Sequence, residues 1–186
     1  LKIKSSSIKF KTTYGKVTDH NGKELEINGE TYYIEINSTP LSLLLIALGC
    51  PEGKKTIKDF RVPSWIFKAP KWIQRLYLSS YFGAEMTKPI IYIKNNKSYF
   101  ERPTVAMYKI EGLKKSGIKF ILELRDILTG FGIKTNKVHL EKGRITKSGK
   151  TIKICLRISS KFENLINFFE KVNYEYCIDK KIKSSH

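Results

Sequence analysis

The first 40 residues alternate apolar and polar side chains, which is the pattern of half-buried β-strands. The alternation is clearest in residues 8–11 and 32–36. Two dipeptides that favour tight hairpin turns, Asn21-Gly22 and Asn28-Gly29, separate these stretches. The pattern predicts short antiparallel strands with turns at both dipeptides.

The spacing of apolar residues then becomes helical. Thr39 is predicted to cap a short helix, with Pro40 at its first position, and Gly49 is expected to end that helix. A basic connector over residues 51–70 leads to a second helix, predicted between Pro70 and Pro89. Small and apolar side chains share one broad face of this second helix: Trp72, Ile73, Leu76, Tyr77, Ser80 and Ala84.

The remainder of the chain repeats strands and helices. Residues 90–94 and 104–110 are predicted strands, and a longer helix follows over 118–128. Two more strands come next, the second at 152–158, and the last helix covers 162–172. The predicted order from residue 70 onward is therefore αββαββα.

This order defines the expected fold class and organisation. The class is α+β with an antiparallel sheet. The segment before residue 70 reads ββα, like the end of a second copy of the same unit. We therefore expect a partial first half with its connector in residues 1–69 and a complete half in residues 70–186.

Charge indicates the kind of partner. The chain has 35 Lys and Arg against 17 Asp and Glu, a net charge of +18. Such an excess favours a polyanion, either nucleic acid or an anionic membrane surface. A lysine-rich surface imposed by genome composition or by a hot environment is the alternative explanation.

Other features favour an intracellular, cytoplasmic protein. The three cysteines are widely spaced and form neither a zinc pattern nor a secreted disulfide framework. The longest apolar run, residues 41–48, is too short to cross a bilayer, so no membrane association is expected. Leu1 stands where an initiator Met is usual, which indicates a fragment, a processed product or an excised domain.

One segment carries recognisable chemistry. Residues 78–86, LSSYFGAEM, resemble the nine-residue motif of the LAGLIDADG (DOD-type) homing endonucleases. Four further segments resemble archaeal and intein-borne members in the same order: LLLIALGCPEGKK, VPSWI with APKWIQRLYL, LRDILTGFGI, and LINFFEKVNYEYCIDKKIKS. The resemblance implies the family's αββαββα half with a saddle-shaped antiparallel sheet.

The resemblance also implies that two motif helices pack side by side. Close packing requires small side chains, and the motif supplies four of them: Ser79, Ser80, Gly83 and Ala84. The partner of the motif helix is expected from an upstream half, encoded before Leu1, or from a homodimer partner. No second motif is visible in the chain, so the partner must come from one of these sources.

The penultimate motif residue, Glu85, is implied to be the catalytic, metal-binding carboxylate. Two such carboxylates, one from each helix, hold a divalent metal that polarises the phosphodiester. Oxygen ligands favour Mg²⁺. The family also places a lysine near the metal, for which Lys88 and Lys153 are the candidates. Met86 departs from the pattern, because a glycine usually stands there to ease the helix end.

The sheet is implied to lie over double-stranded DNA, with outward side chains on phosphates and in the major groove. Nine residues are the DNA-binding candidates: Lys94, Lys97, Arg102, Lys137, His139, Lys142, Arg144, Lys153 and Arg157. Tyr92 and Tyr108 are candidates for base contacts.

The resemblance thus predicts a site-specific, Mg²⁺-dependent homing endonuclease that serves intron or intein mobility. Two alternatives on the same fold stay open, a catalytically inactive DNA-binding descendant and an RNA intron maturase. An unrelated basic α+β domain, such as a ribosome-associated protein, is the third.

Overall fold

Strands and helices alternate along nearly the whole chain, and the computed structural model describes residues 7–18 and 22–183. The strands are β1 (Lys9–Thr18), β2 (Glu24–Tyr33), β3 (Ile90–Lys94), β4 (Lys97–Glu101), β5 (Thr104–Ile110), β6 (His139–Thr146) and β7 (Gly149–Arg157). The α-helices are α1 (Thr39–Ala47), α2 (Ser64–Lys68), α3 (Lys71–Glu85), α4 (Lys114–Thr129), α5 (Phe162–Lys171) and α6 (Ile178–Lys183). Two short 3₁₀ turns lie at Lys55–Ile57 and Glu111–Leu113.

The strands pair in antiparallel fashion, which confirms the α+β class. β5, β7 and β6 form a three-stranded sheet in that order, with β7 at its centre. β1 pairs with β2 and β3 pairs with β4, each as a separate two-stranded hairpin. The prediction had placed 90–94 directly before 104–110 and did not include β4. The structure instead has a tight turn at Asn95 and Asn96, whose φ angles of 51° and 57° are those of a two-residue hairpin turn.

The amino-terminal hairpin corrects the second predicted turn. Asn28 and Gly29 lie inside β2, opposite Tyr14 and Thr13. β2 ends at Tyr33, so the predicted strand over 32–36 extends too far. The other turn dipeptide includes Asn21, which lies outside the described residues.

The cap of helix α1 lies one residue earlier than predicted, and the helix begins at Thr39. Ser38 is the cap, and its Oγ accepts a hydrogen bond from the Leu41 N–H at 3.3 Å. Gly49 follows the helix with φ of +94°, a conformation that favours glycine, and so confirms the predicted end. No side chain of α1 is buried among the described residues.

The interior lies between the three-stranded sheet and helices α3 and α4. Leu78, Phe82, Val105, Leu124 and Ile154 are each fully buried. Burying side chains of this size contributes roughly 1.5–3 kcal/mol each. The helical and two-residue periodicities of α3, α4 and β7 therefore correspond to real packing faces. Within the described ranges, no helix is both long and apolar enough to cross a membrane.

The small side chains of α3 divide between two sides, and this corrects their expected common role. The Ser79 carbonyl accepts a hydrogen bond from the Glu175 N–H at 3.0 Å. A Cβ at Gly83 would lie 2.3 Å from the Glu175 carbonyl oxygen. Ser79 and Gly83 thus pack against this chain's own carboxyl-terminal segment, because that segment approaches the helix backbone directly. Only Ser80 and Ala84 remain on the open side of α3.

This close approach predicts the outcome of one matched pair of substitutions. Gly83→Val forces a side chain against backbone and is expected to lower the free energy of unfolding by about 2 kcal/mol or more. Ala84→Val, on the exposed side of the same helix, is expected to change it by about 0.5 kcal/mol. Urea unfolding followed by circular dichroism measures both. Equal losses in the two variants would contradict the described packing.

Candidate nucleic-acid interface

The acid of the motif, Glu85, is the last residue of α3 and forms an ion pair with the Lys55 ammonium. Lys55 belongs to the 3₁₀ turn of the connector that precedes α2. Both side chains are partly exposed, at 49% for Lys55 and 34% for Glu85. The lysine beside the motif acid is therefore Lys55, which sequence reasoning missed because 30 residues separate the pair in the chain.

A fully buried lysine on β5 holds this connector in place. The Lys109 ammonium donates hydrogen bonds to the carbonyls of Lys55, at 2.6 Å, and of Lys58. It also lies 4.0 Å from the centre of the Phe60 ring, within cation–π range. Burial lowers the pKa of Lys109, while Asp59 raises it in part. The ammonium thus ties the connector to the central sheet.

A buried carboxylate anchors the same connector a few residues later. Glu123 of α4 accepts hydrogen bonds from the Arg61 guanidinium, with Nε at 2.7 Å, and from the Val62 N–H at 3.0 Å. A hydrogen-bonded charge of this kind is costly to leave unpaired. The connector is therefore fixed from both the sheet and α4.

The carboxyl-terminal end of α3 is capped by a lysine from α6. The Lys180 ammonium donates to the carbonyls of Gly83 and Met86, each at 2.6 Å, and of Phe82 at 3.3 Å. A cation is favoured at this end of a helix. Burial lowers the pKa of Lys180.

Met86 fits the helix end without the glycine that the motif usually has there. Its φ is −87°, so no left-handed conformation is required. Its side chain is buried, and its backbone bridges to Val105 of β5. The described helix end therefore accommodates Met86 in an ordinary backbone conformation.

The residues around Glu85 do not by themselves fit a divalent cation. Within residues 7–18 and 22–183, no group of three or more His, Cys, Asp or Glu is placed to hold a metal. Glu85 instead has the ammonium of Lys55 as its partner. Mg²⁺ stays a prediction that requires a second carboxylate from outside these residues.

In the described part of the chain, neither of the two lysines expected beside Glu85 is found in an ion pair or hydrogen bond with it. Lys88 is exposed in the loop after α3. Lys153 of β7 donates to Glu141 at 2.9 Å. None of the hydrogen bonds or ion pairs found in the described part of the chain joins Glu85, Lys88 and Lys153 into one catalytic group.

A second cluster, here called the basic face, covers the side of the three-stranded sheet opposite the core. Alternation along β7 turns Ile154 and Leu156 inward and Lys153 and Arg157 outward. In the strand register, Tyr108 of β5 and Glu141 of β6 both lie opposite Lys153. The basic face consists of Tyr108, His139, Glu141, Arg144, Lys153 and Arg157 of the three strands, together with Arg102, which precedes β5 and lines the same cavity as Lys153 and Arg157.

Glu141 lies at the centre of the basic face and pairs with the bases around it. Its carboxylate accepts from Lys153 at 2.9 Å and from Arg157 at 3.1 Å. His139 Nε2 lies 3.6 Å from the same carboxylate. The hydrogen bond from Lys153 holds the pKa of Glu141 below its usual value, and the same bond raises the pKa of Lys153.

Aromatic rings flank these charges. The Arg144 guanidinium lies 5.9 Å from the centre of the Tyr108 ring. Tyr92 and Tyr99 of the β3–β4 hairpin stack with ring centres 5.6 Å apart. A cavity of about 570 Å³ lies between this hairpin and the basic face, and it is lined by Tyr92, Tyr99, Arg102, Lys153 and Arg157, among others.

The remaining candidates for DNA contact lie at other positions. Lys94 and Lys97 face each other across the tip of the β3–β4 hairpin, and Lys137 is exposed in the loop before β6. Lys142 pairs with Ile152, whose side chain alternates with that of Lys153. Lys142 therefore lies on the opposite side from the basic face, a correction that only the register of β6 reveals.

The basic face also contains a thiol. Cys155 lies between Lys153 and Arg157 on β7, opposite Ala106 and His139, and is 1% exposed. Burial raises the pKa of this thiol. No disulfide joins it to Cys50 or Cys177, since all three cysteines are free.

Comparison with known proteins gives relatives with three different names. The chain is 36% identical over 166 residues to DNA-directed RNA polymerase subunit Rpo1N of Methanocaldococcus jannaschii, a match that covers 89% of this chain and 12% of that protein. It is 35% identical over 160 residues to tRNA-splicing ligase RtcB of Pyrococcus furiosus, covering 85% of this chain and 15% of the ligase. Replication factor C small subunit of M. jannaschii is 26% identical over 175 residues, a match that covers 94% of this chain and 9% of that protein. No family model and no solved structure matches.

These names contradict the predicted function. They denote an RNA polymerase subunit, a tRNA-splicing ligase and a replication factor, and none denotes a homing endonuclease. The prediction of a DNA homing endonuclease was therefore wrong, together with its alternatives on the same fold. The nine-residue motif consists of small side chains and one acid on a helix, and such a pattern does not determine activity. The chain spans less than a sixth of each of these relatives.

The contacts of Lys109 predict a local effect on the connector. Lys109→Met is expected to lower the free energy of local unfolding of the connector by about 1–2 kcal/mol. The fraction of molecules in which the connector is open then rises roughly 5–30-fold. Limited digestion with trypsin measures this, since Lys54, Lys55, Lys58 and Arg61 are cleavage sites within it.

The control is Lys115→Met, which removes an exposed lysine from α4. It is expected to leave the cleavage rate in the connector unchanged. If both variants are cut there as slowly as the unmodified chain, Lys109 does not hold the connector.

Proposed function

We propose that this chain is a nucleic-acid-binding module carried within larger proteins, and that its basic face contacts the phosphate backbone of a double helix. The observation that carries the proposal is the grouping of Arg102, Arg144, Lys153 and Arg157 around one sheet face. A positive sheet surface beside exposed tyrosines suits phosphates and base edges. The net charge of +18 supports the same kind of partner.

The comparisons support a module rather than the activity of any one relative. Nearly the same stretch of this chain matches three proteins with unrelated names, and it occupies only 9–15% of each. Polymerase, ligase and replication factor share no single reaction in their names, but two of the names include DNA, RNA or tRNA and the third refers to replication. A shared segment of this size therefore supplies something common to these settings, for which nucleic-acid binding is the simplest candidate.

A helical partner on α3 is part of the proposal. Trp72, Leu76, Ser80 and Ala84 follow one another at four-residue spacing and are partly or fully exposed. A strip of this kind, with small side chains at its carboxyl-terminal end, suits close packing of another helix. The resemblance to the LAGLIDADG family stays a proposal about this packing and about the fold, and an intracellular location stays a prediction.

Binding to a short duplex DNA of mixed sequence tests the proposal. We expect affinity to fall steeply between about 50 and 200 mM salt, because each phosphate contact that releases a counterion adds about −0.9 to the slope of log K against log salt. The double variant Arg102→Gln/Arg144→Gln is expected to make this slope shallower by about two phosphate contacts, each of which accounts for about −0.9. Fluorescence anisotropy across a salt series measures both quantities.

The matched control removes two positive charges from another surface. Lys115→Gln/Lys119→Gln changes exposed lysines on α4 and leaves the basic face intact. Its slope is expected to stay close to that of the unmodified chain. A salt-independent affinity, or equal losses in the two double variants, would refute binding through the basic face. Duplex RNA in the same assay shows which type of helix is preferred.

A further inference from the structure

Glu141 is the acidic residue of the three strands that form the basic face. The sequences of β5, β6 and β7 contain no other Asp or Glu. Its carboxylate is nevertheless at the centre of the positive cluster, with the side chain 31% exposed. A surface built only for charge attraction gains nothing from an acid at that place, so its presence requires a reason.

The geometry shows what the acid does to its neighbours. One oxygen of Glu141 accepts from Lys153 and the other accepts from Arg157. A phosphate presents oxygens of the same charge to the same donors. Glu141 therefore occupies on both bases the positions that two backbone phosphate oxygens would take.

We propose that Glu141 is an internal competitor for phosphate, which keeps the basic face from binding every polyanion tightly and so sets its selectivity. This inference rests on the proposed function. A backbone phosphate alone has to displace the carboxylate from Lys153 and Arg157. A ligand that also offers a hydrogen-bond donor to the displaced carboxylate, as the amino group of cytosine does in the major groove, recovers that loss.

The arrangement also explains why the pairing belongs to function more than to stability. The three side chains are each about one-third exposed, and ion pairs on such surfaces contribute little to folding. The depressed pKa of Glu141 shows that its carboxylate is ionised in this setting at neutral pH, so it competes as an anion.

The test compares two variants that each remove one negative charge. Glu141→Gln is expected to raise the affinity for duplex DNA of mixed sequence about tenfold near 0.1 M salt. Because two bases become free for phosphates, the slope of log K against log salt is also expected to become steeper by one to two phosphate contacts, each of which adds about −0.9. Glu170→Gln changes an exposed acid on α5 and gives the same net charge. Its affinity is expected to rise much less, with an unchanged slope.

A second background shows whether Glu141 acts through the two bases. In Lys153→Gln/Arg157→Gln, the further change Glu141→Gln is expected to produce no more gain than Glu170→Gln does. A gain that persists without the bases would overturn the proposal. Thermal unfolding of each variant verifies the fold, and Glu141→Ser replaces Glu141→Gln if the glutamine variant does not fold.

The outcomes separate this inference from the proposed function. If the unmodified chain binds DNA without salt dependence, the proposed function fails and this inference fails with it. If the unmodified chain binds with a steep slope and Glu141→Gln binds no better than Glu170→Gln, only the inference is overturned. Weaker binding by Glu141→Gln overturns it as well, since Glu141 would then orient the bases for the ligand.

Discussion

The buried ammonium of Lys109 is the contact on which the arrangement around α3 depends. It reaches from the central sheet to two carbonyls of the connector, and a buried cation requires such partners. The connector in turn places Lys55 beside Glu85. The setting of the motif acid on α3 is therefore decided by a residue of β5, which acts through backbone carbonyls of the connector and not through the motif itself.

Positive charge is organised differently at the two clusters. At the end of α3, Lys180 is held by three backbone carbonyls, and Lys55 is held by Glu85. The partners of these two ammonium groups are therefore other groups of the protein. On the basic face, Lys153 and Arg157 share one carboxylate and remain about one-third exposed. The Lys55–Glu85 pair is at least as exposed, so the difference between the two clusters is that two bases of the basic face share a single carboxylate.

Sequence periodicity predicted the elements with strong apolar spacing and missed those without it. Helices α3 and α4 and strands β5 and β7 were found, because each has one face that must be buried. β4 was missed because its sequence, KSYFE, does not alternate apolar and polar residues. The roles of Lys55 and Glu141 were out of reach for another reason. Each depends on a partner in a different element, and only the connector path and the register of β6 bring them together. The motif suggested an activity that the names of the relatives contradict, because local resemblance describes a helix face and not a reaction.

The buried thiol of Cys155 has a chemical consequence for the face that contains it. A thiol reacts with oxidants and alkylating reagents as the thiolate, and burial here suppresses both ionisation and access. Cys50 is exposed and Cys177 is half-buried, so both thiols are more accessible to oxidants than that of Cys155. Labelling of Cys155 requires β7 to open, so its sulfur serves as a built-in reporter of the integrity of the central strand.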